Sequence, residues 1–209
     1  MRFPILTTAI ALCLALPSLA QDAKKGTPKE ATTQKLKGMS FAGERATTTL
    51  AAFSEDFSVA HMATINHGQP EWHADYDKQM DMLKGKISRL GKDMWTTYMS
   101  NAAIELGGTK IPAGSYVIGL QCDKDGKFAL AFLDSSKAMK DGLLPFGPQN
   151  WKPDFVAPVT LNKDASTTVV EKMTMTFKAD EKEAGKGAFT LAWGKHTLTA
   201  PAMLQVSAK

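Results

Sequence analysis

The stretch that decides the fold runs from Tyr116 to Phe132 and reads YVIGLQCDKDGKFALAF. Large apolar side chains occupy alternate positions on both sides of a central Asp-Lys-Asp-Gly segment. Period-two alternation is typical of a strand with one buried face, and a short Asp/Gly segment between two such strands is typical of a hairpin turn. The stretch therefore predicts an antiparallel hairpin. The rings of Tyr116 and Phe132, its first and last residues, are expected to face the core.

The same alternation recurs on both sides of this hairpin. Apolar side chains lead from Ala102 into Gly107-Gly108, where glycine permits the positive φ of a tight turn. Further candidate strands are 47–53, 57–65, 173–177, 189–193 and a last stretch ending near 206. Eight or more short strands predict an all-β protein: an antiparallel β-sandwich or jelly-roll-like domain with one or two short helices.

Two helical segments are expected. Pro70 can occupy the first position of a helix, where its missing N–H costs nothing, and Gly85 ends that helix. A shorter helical turn is expected over 135–139. Between the two helix limits, apolar side chains recur every three or four residues and so share one face. They are Trp72, Tyr76, Met80 and Leu83.

The 209 residues divide into three parts by composition. Residues 1–20 have the charged start, apolar centre and small-residue end of a secretory signal peptide. Residues 21–45 are rich in Lys, Thr, Ala and Gly, which predicts a flexible linker. Residues 46–209 have the length of one domain. We therefore expect an exported protein, periplasmic or extracellular, that does not span the membrane once the leader is removed.

Charge and cysteine content exclude several classes of function. The predicted domain carries 18 basic and 18 acidic residues, so the excess positive charge lies in the linker and a nucleic-acid partner is not expected. Cleavage of the leader leaves Cys122 as the single cysteine, which excludes an intrachain disulfide and a cysteine zinc site. No cofactor-binding motif is present, and we predict no cofactor.

Three segments carry a family resemblance: Ile65–Trp72, Trp95–Asn101 and Gly107–Tyr116, the last with the sequence Pro-Ala-Gly-Ser-Tyr. Together they resemble a family of secreted bacterial proteins that is catalogued only as a domain of unknown function. Many members carry W-R-x-G-A-N in the middle segment, where this chain has no arginine and one more residue. The resemblance implies export and a β-rich fold, and it implies no activity.

Three residues are candidate metal ligands. His67, Glu71 and His73 are metal-ligand types placed around a strand-to-helix corner. However, residues two apart on a helix point in different directions, which is poor for chelation. His67 lies two residues after Ile65 and therefore on the same face of the predicted strand, which should be the core face. This position predicts a histidine at the end of the strand that is satisfied by a hydrogen bond. We predict no metal, and no complete set of catalytic residues.

Four residues remain as candidates for ligand binding: His67, Trp95, Asn101 and Trp151. Tryptophan faces stack on sugars, so a glycan is one candidate partner and an envelope component is another. The sequence favours a non-enzymatic binding or structural module of the cell envelope. The alternatives are a carbohydrate-binding module and a metal-assisted hydrolase that uses the His67 corner.

Overall fold

The computed structural model describes residues 43–143, 152–162 and 168–206, and residues 40–209 form one compact unit. The predicted signal peptide, most of the predicted linker and Trp151 lie outside the described residues. Within them the chain forms twelve strands, a 3-10 helix over Ala74–Leu83 and an α-helix, α1, over Ser135–Lys140. The strands are β1 Arg45–Phe53, β2 Ala60–Gly68, β3 Lys86–Arg89, β4 Thr96–Ser100, β5 Ile104–Leu106, β6 Thr109–Ile111, β7 Gly114–Cys122, β8 Phe128–Asp134, β9 Phe155–Asn162, β10 Val170–Ala179, β11 Lys186–Gly194 and β12 His196–Leu204.

The strands form one antiparallel sheet, in the order β1-β2-β4-β7-β8-β9-β12-β11-β10. β3 extends the edge of β7 beyond β4, while β5 and β6 add a small ribbon to β12. The hairpin predicted from Tyr116 to Phe132 is β7–β8 at the centre of this order, with Cys122 opposite Phe128. The all-β antiparallel prediction is confirmed, and the sheet curls until it is nearly closed.

The two end strands of the sheet meet along a line that we call the seam. Here β10 does not form a backbone ladder with β1. Instead, alternate N–H groups of β10 donate to a backbone carbonyl, an imidazole nitrogen and a hydroxyl oxygen. These bonds satisfy the edge of β10 that does not pair with β11 and would otherwise be open. The donors and acceptors are Met173 N to Pro70 O (3.0 Å), Met175 N to His67 Nε2 (3.3 Å) and Phe177 N to Thr48 Oγ1 (2.7 Å).

The core lies on the inner face of the curled sheet. Tyr98, Phe132 and Phe189 are its largest fully buried side chains, and the first two rings meet edge-on with centroids 5.5 Å apart. Tyr116 is also buried and donates its hydroxyl to Pro112 O at 3.2 Å, so the Pro-Ala-Gly-Ser-Tyr segment forms a structural corner. A smaller apolar cluster under α1 covers part of the outer face.

Two local expectations are wrong. Phe57 and Val59 do not belong to the second strand, which begins at Ala60; Phe57 has a φ of 56° in a turn closed by its own N–H to Ser54 O. The first helix begins at Ala74 rather than at Pro70, and it is a 3-10 helix. Arg45, the last residue of the predicted linker, is the first residue of β1.

Candidate ligand-binding site

The four residues predicted as ligand contacts do not converge within the described chain. His67 is fully buried in the seam. Asn101 is exposed and holds the start of β2, accepting from Met62 N and donating to Ala60 O, both at 2.8 Å. Trp95 is half-buried and packs against the outer apolar cluster, whereas Trp151 lies outside the described residues.

The metal corner is not assembled in the part of the chain that the structure describes. There, no three His, Cys, Asp or Glu side chains are grouped closely enough to hold an ion. Glu71 and His73 are exposed, while His67 points inward with Nδ1 3.2 Å from Gly68 O. Burial lowers the pKa of His67, and the positive charge of Arg45 adds to this, against an opposing effect of the Gly68 carbonyl. The ring is therefore a neutral structural acceptor.

A cavity of about 330 Å³ lies between the 3-10 helix and the inner face of the sheet. Its walls come from eight elements, and most of the side chains are aliphatic, thioether or aromatic. The apolar lining is formed by Met80, Leu83, Leu90, Leu120, Phe128, Leu161, Met173, Leu191 and Leu198, with Trp72, Tyr76 and Trp193 at one side.

Strand register explains why leucines form one wall. Leu198 of β12 lies directly opposite Leu191 of β11 on one side and Leu161 of β9 on the other. Directly opposed residues in an antiparallel sheet project to the same face, so these three side chains form a continuous inward row. The 3-10 helix stands off from this row, and the space between them is the cavity.

An aromatic cluster borders the cavity. Trp72 meets Trp193 edge-on, with an interplanar angle of 85° and ring centroids 5.1 Å apart. The ring centroid of Tyr76 lies 5.0 Å from that of Trp193. Trp193 is fixed from the other side, since its Nε1 donates to Pro70 O at 2.9 Å. Gly194 allows the close contact with Trp72: a Cβ there would fall 2.4 Å from the indole ring. The rings contact one another and form a wall; they do not form an open stacking platform.

The polar groups around the cavity are few. Of the lining side chains, Arg89 and His196 are the basic ones, and none is acidic. His196 Nε2 lies 2.7 Å from Asp77 Oδ1 on the 3-10 helix, so this pair joins the helix to the sheet. Ser88 also lines the cavity, opposite Leu120 on the inner face.

The sequence predicts Trp72 on the apolar face of the first helix and a candidate strand that ends at Trp193, but it does not join the two residues into one site. The signal that could have done so is the sequence Trp193-Gly194-Lys195-His196, whose tight turn sets Trp193 opposite His196. Alternation then places both side chains inward at one end of a hairpin. Their meeting with Trp72, more than a hundred residues earlier, has no local signal.

Within the described residues, no helix is long and apolar enough to cross a bilayer. Comparisons with protein-family models, curated proteins and solved structures found no match. The resemblance to a secreted family of unknown function therefore stays a prediction.

Proposed function

We propose that this protein is an exported, non-enzymatic binding module that holds a small apolar molecule in the cavity beneath the 3-10 helix. The observation that carries the proposal is the apolar cavity itself, because its volume of about 330 Å³ falls within the range of small-molecule sites. A protein interior is otherwise packed with few voids larger than a water molecule.

Size and lining define the class of occupant. A cavity of about 150 Å³ lined by leucine and phenylalanine holds one benzene and stays dry when empty. The present cavity is about twice as large and has a similar lining, so it suits a molecule of two fused rings or an acyl chain of comparable volume.

The two alternative functions draw less support from the described residues. A glycan module needs exposed aromatic faces, but the candidate Trp95 is half-buried against the outer apolar cluster. Trp72 and Trp193 at the cavity are also half-buried, and they are perpendicular to each other. A hydrolase at the His67 corner needs an accessible ring, and His67 has none of its surface exposed. A binding module is therefore the function that the geometry favours.

The test uses N-phenyl-1-naphthylamine, an uncharged dye whose fluorescence rises in apolar surroundings. We expect saturable binding of one dye per chain to purified protein 21–209. Leu83 is half-buried on the 3-10 helix and lines the cavity, so Leu83→Trp places a larger side chain inside it. We expect this variant to weaken binding at least about tenfold, equivalent to about 1.4 kcal/mol.

Met82→Trp is the matched control. Met82 is the preceding residue of the same helix, but 64% of its surface is exposed and it does not line the cavity. It should bind the dye as the wild type does. Failure of the wild type to show saturable binding, or equal affinity of the Leu83→Trp variant, would overturn the proposal.

A further inference from the structure

We infer that the cavity selects an uncharged ligand carrying one hydrogen-bonding group, which meets the hydroxyl of Ser88. This inference rests on the proposed function and names the ligand class of the same site. It follows from three features: where the Arg89 side chain points, how the charges on the 3-10 helix are paired, and which polar side chain on the strand wall of the cavity lacks a hydrogen bond.

The single arginine among the lining residues points away from the cavity. Arg89 follows Ser88 in β3 and lies opposite Gly119, so it projects from the outer face of the sheet. Ile87, with the same parity, packs in the outer apolar cluster, which fixes that direction. The Arg89 guanidinium lies 3.4 Å from Asp93 O. The other basic lining residue, His196, is already paired with Asp77, so an anionic ligand in the cavity would lack a free counter-ion.

The charges on the 3-10 helix are already paired. Asp75 bonds Lys78 at 2.9 Å, Asp81 bonds Lys84 at 2.8 Å, and Asp77 bonds His196 at 2.7 Å. A cationic ligand would have to displace one of these partners. The aromatic wall offers no cage for it either, since the centroids of Trp72, Tyr76 and Trp193 are only 5.0–5.7 Å apart. Burial of an unpaired charge is strongly unfavourable, so ions of both signs are disfavoured.

Among the strand residues that line the cavity, Ser88 is the polar side chain left without a hydrogen-bond partner in the described structure. Its register opposite Leu120 directs the hydroxyl to the inner face. Within the described chain, this side chain makes no hydrogen bond, while the backbone of β3 is held by β7. A serine hydroxyl can donate one hydrogen bond and accept two, so it fits a hydroxyl or carbonyl group of a ligand.

The experiment compares three ligands of one shape. Naphthalene, 2-naphthol and 2-naphthoate compete with bound N-phenyl-1-naphthylamine in the wild type and in Ser88→Ala, Ser88→Thr and Arg89→Gln. Ser88→Ala should leave naphthalene affinity unchanged and reduce the preference for 2-naphthol about three- to tenfold, the range of one net hydrogen bond. Ser88→Thr keeps the hydroxyl and should keep the preference. In the wild type, 2-naphthoate should bind at least about 30-fold more weakly than 2-naphthol because its charge has no partner.

The outcomes separate this inference from the proposed function. If naphthalene does not displace the dye, the proposed function itself fails. If naphthalene competes but Ser88→Ala leaves the 2-naphthol preference intact, only the assignment of Ser88 is overturned. If 2-naphthoate binds as well as 2-naphthol and Arg89→Gln abolishes that binding, Arg89 faces the ligand and the uncharged class is wrong.

Discussion

Replacement of His67 by leucine tests how the sheet is closed. His67 is fully buried, and its Nε2 accepts the middle hydrogen bond of the seam from Met175 N at 3.3 Å. Leucine fills much of the same space but cannot accept, so the buried N–H of Met175 is left unpaired. An unpaired buried donor costs about 1–3 kcal/mol. For a chain of this length, each kcal/mol lowers the unfolding midpoint by about 2–4 °C.

The same substitution should change how stability depends on pH. Burial lowers the pKa of His67 in the folded protein, so the unfolded chain takes up the proton more readily. The stabilising effect of the neutral ring is therefore complete above the unfolded pKa of about 6.5. It is lost as the pH falls below that value, at up to about 1.4 kcal/mol per pH unit, until the lowered folded pKa is reached. His67→Leu has no such group and should lack this part of the pH dependence.

Urea unfolding followed by tryptophan fluorescence at pH 7.5 and pH 5.5 measures both effects. The wild type should exceed His67→Leu in stability at pH 7.5, and the difference should shrink at pH 5.5. His61→Leu is the control, because His61 lies on the same face of β2 and makes no hydrogen bond within the described chain. Parallel pH curves for wild type and His67→Leu, or equal stability at pH 7.5, would refute the proposed role of the histidine.

Three further substitutions test local geometry. Gly107→Ala places a Cβ 2.1 Å from Pro158 O at a φ of +56°, whereas the adjacent Gly108, at +81°, has nothing within 4 Å of such an atom. Both substitutions should destabilise the protein by about 1–2 kcal/mol, because alanine is unfavourable in the left-handed backbone region. Gly107→Ala should lower the thermal unfolding midpoint clearly more than Gly108→Ala. Equal decreases would contradict the close approach of Gly107 to Pro158 O. Asn101→Ala removes two hydrogen bonds to the backbone at the start of β2. Because Asn101 is exposed and water can replace the lost partner, the loss should be about 0.5–1.5 kcal/mol in the same assay, and an unchanged midpoint would show that these bonds add nothing to stability.

The strands were predictable where alternation and turn chemistry agree. β7 and β8 combine period-two apolar residues with Asp123-Lys124-Asp125-Gly126, and the turn uses both signals: Asp123 Oδ1 accepts from Asp125 N at 2.9 Å, and Gly126 has a φ of +83°. The prediction went wrong where the two signals conflict. Before β2, the alternation at Phe57 pointed to a strand, but Ser54 and its neighbours form a polar turn through their own side chains.

The site was less predictable than the strands because its contacts are non-local. The sequence correctly predicts a common face for Tyr76, Met80 and Leu83, because all three side chains are half-buried and line the cavity. The surface that this face meets is built from β9, β10, β11 and β12, and its shape depends on a register that no local pattern contains. His67 was predicted to be satisfied by a hydrogen bond, but its partner Met175 lies 108 residues further along the chain.

Pro70 links the closure of the sheet to the aromatic wall of the cavity. Its carbonyl accepts from Met173 N at 3.0 Å and from Trp193 Nε1 at 2.9 Å, and all three residues line the cavity. The first of these bonds is the end of the seam, and the second fixes the aromatic wall. A ligand that packs against Trp193 therefore also holds the seam, and ligand that binds only the folded state raises stability by mass action. Because such coupling is reciprocal, we expect His67→Leu to lower the affinity of the cavity for N-phenyl-1-naphthylamine in the dye titration proposed above, and an unchanged affinity would contradict the coupling.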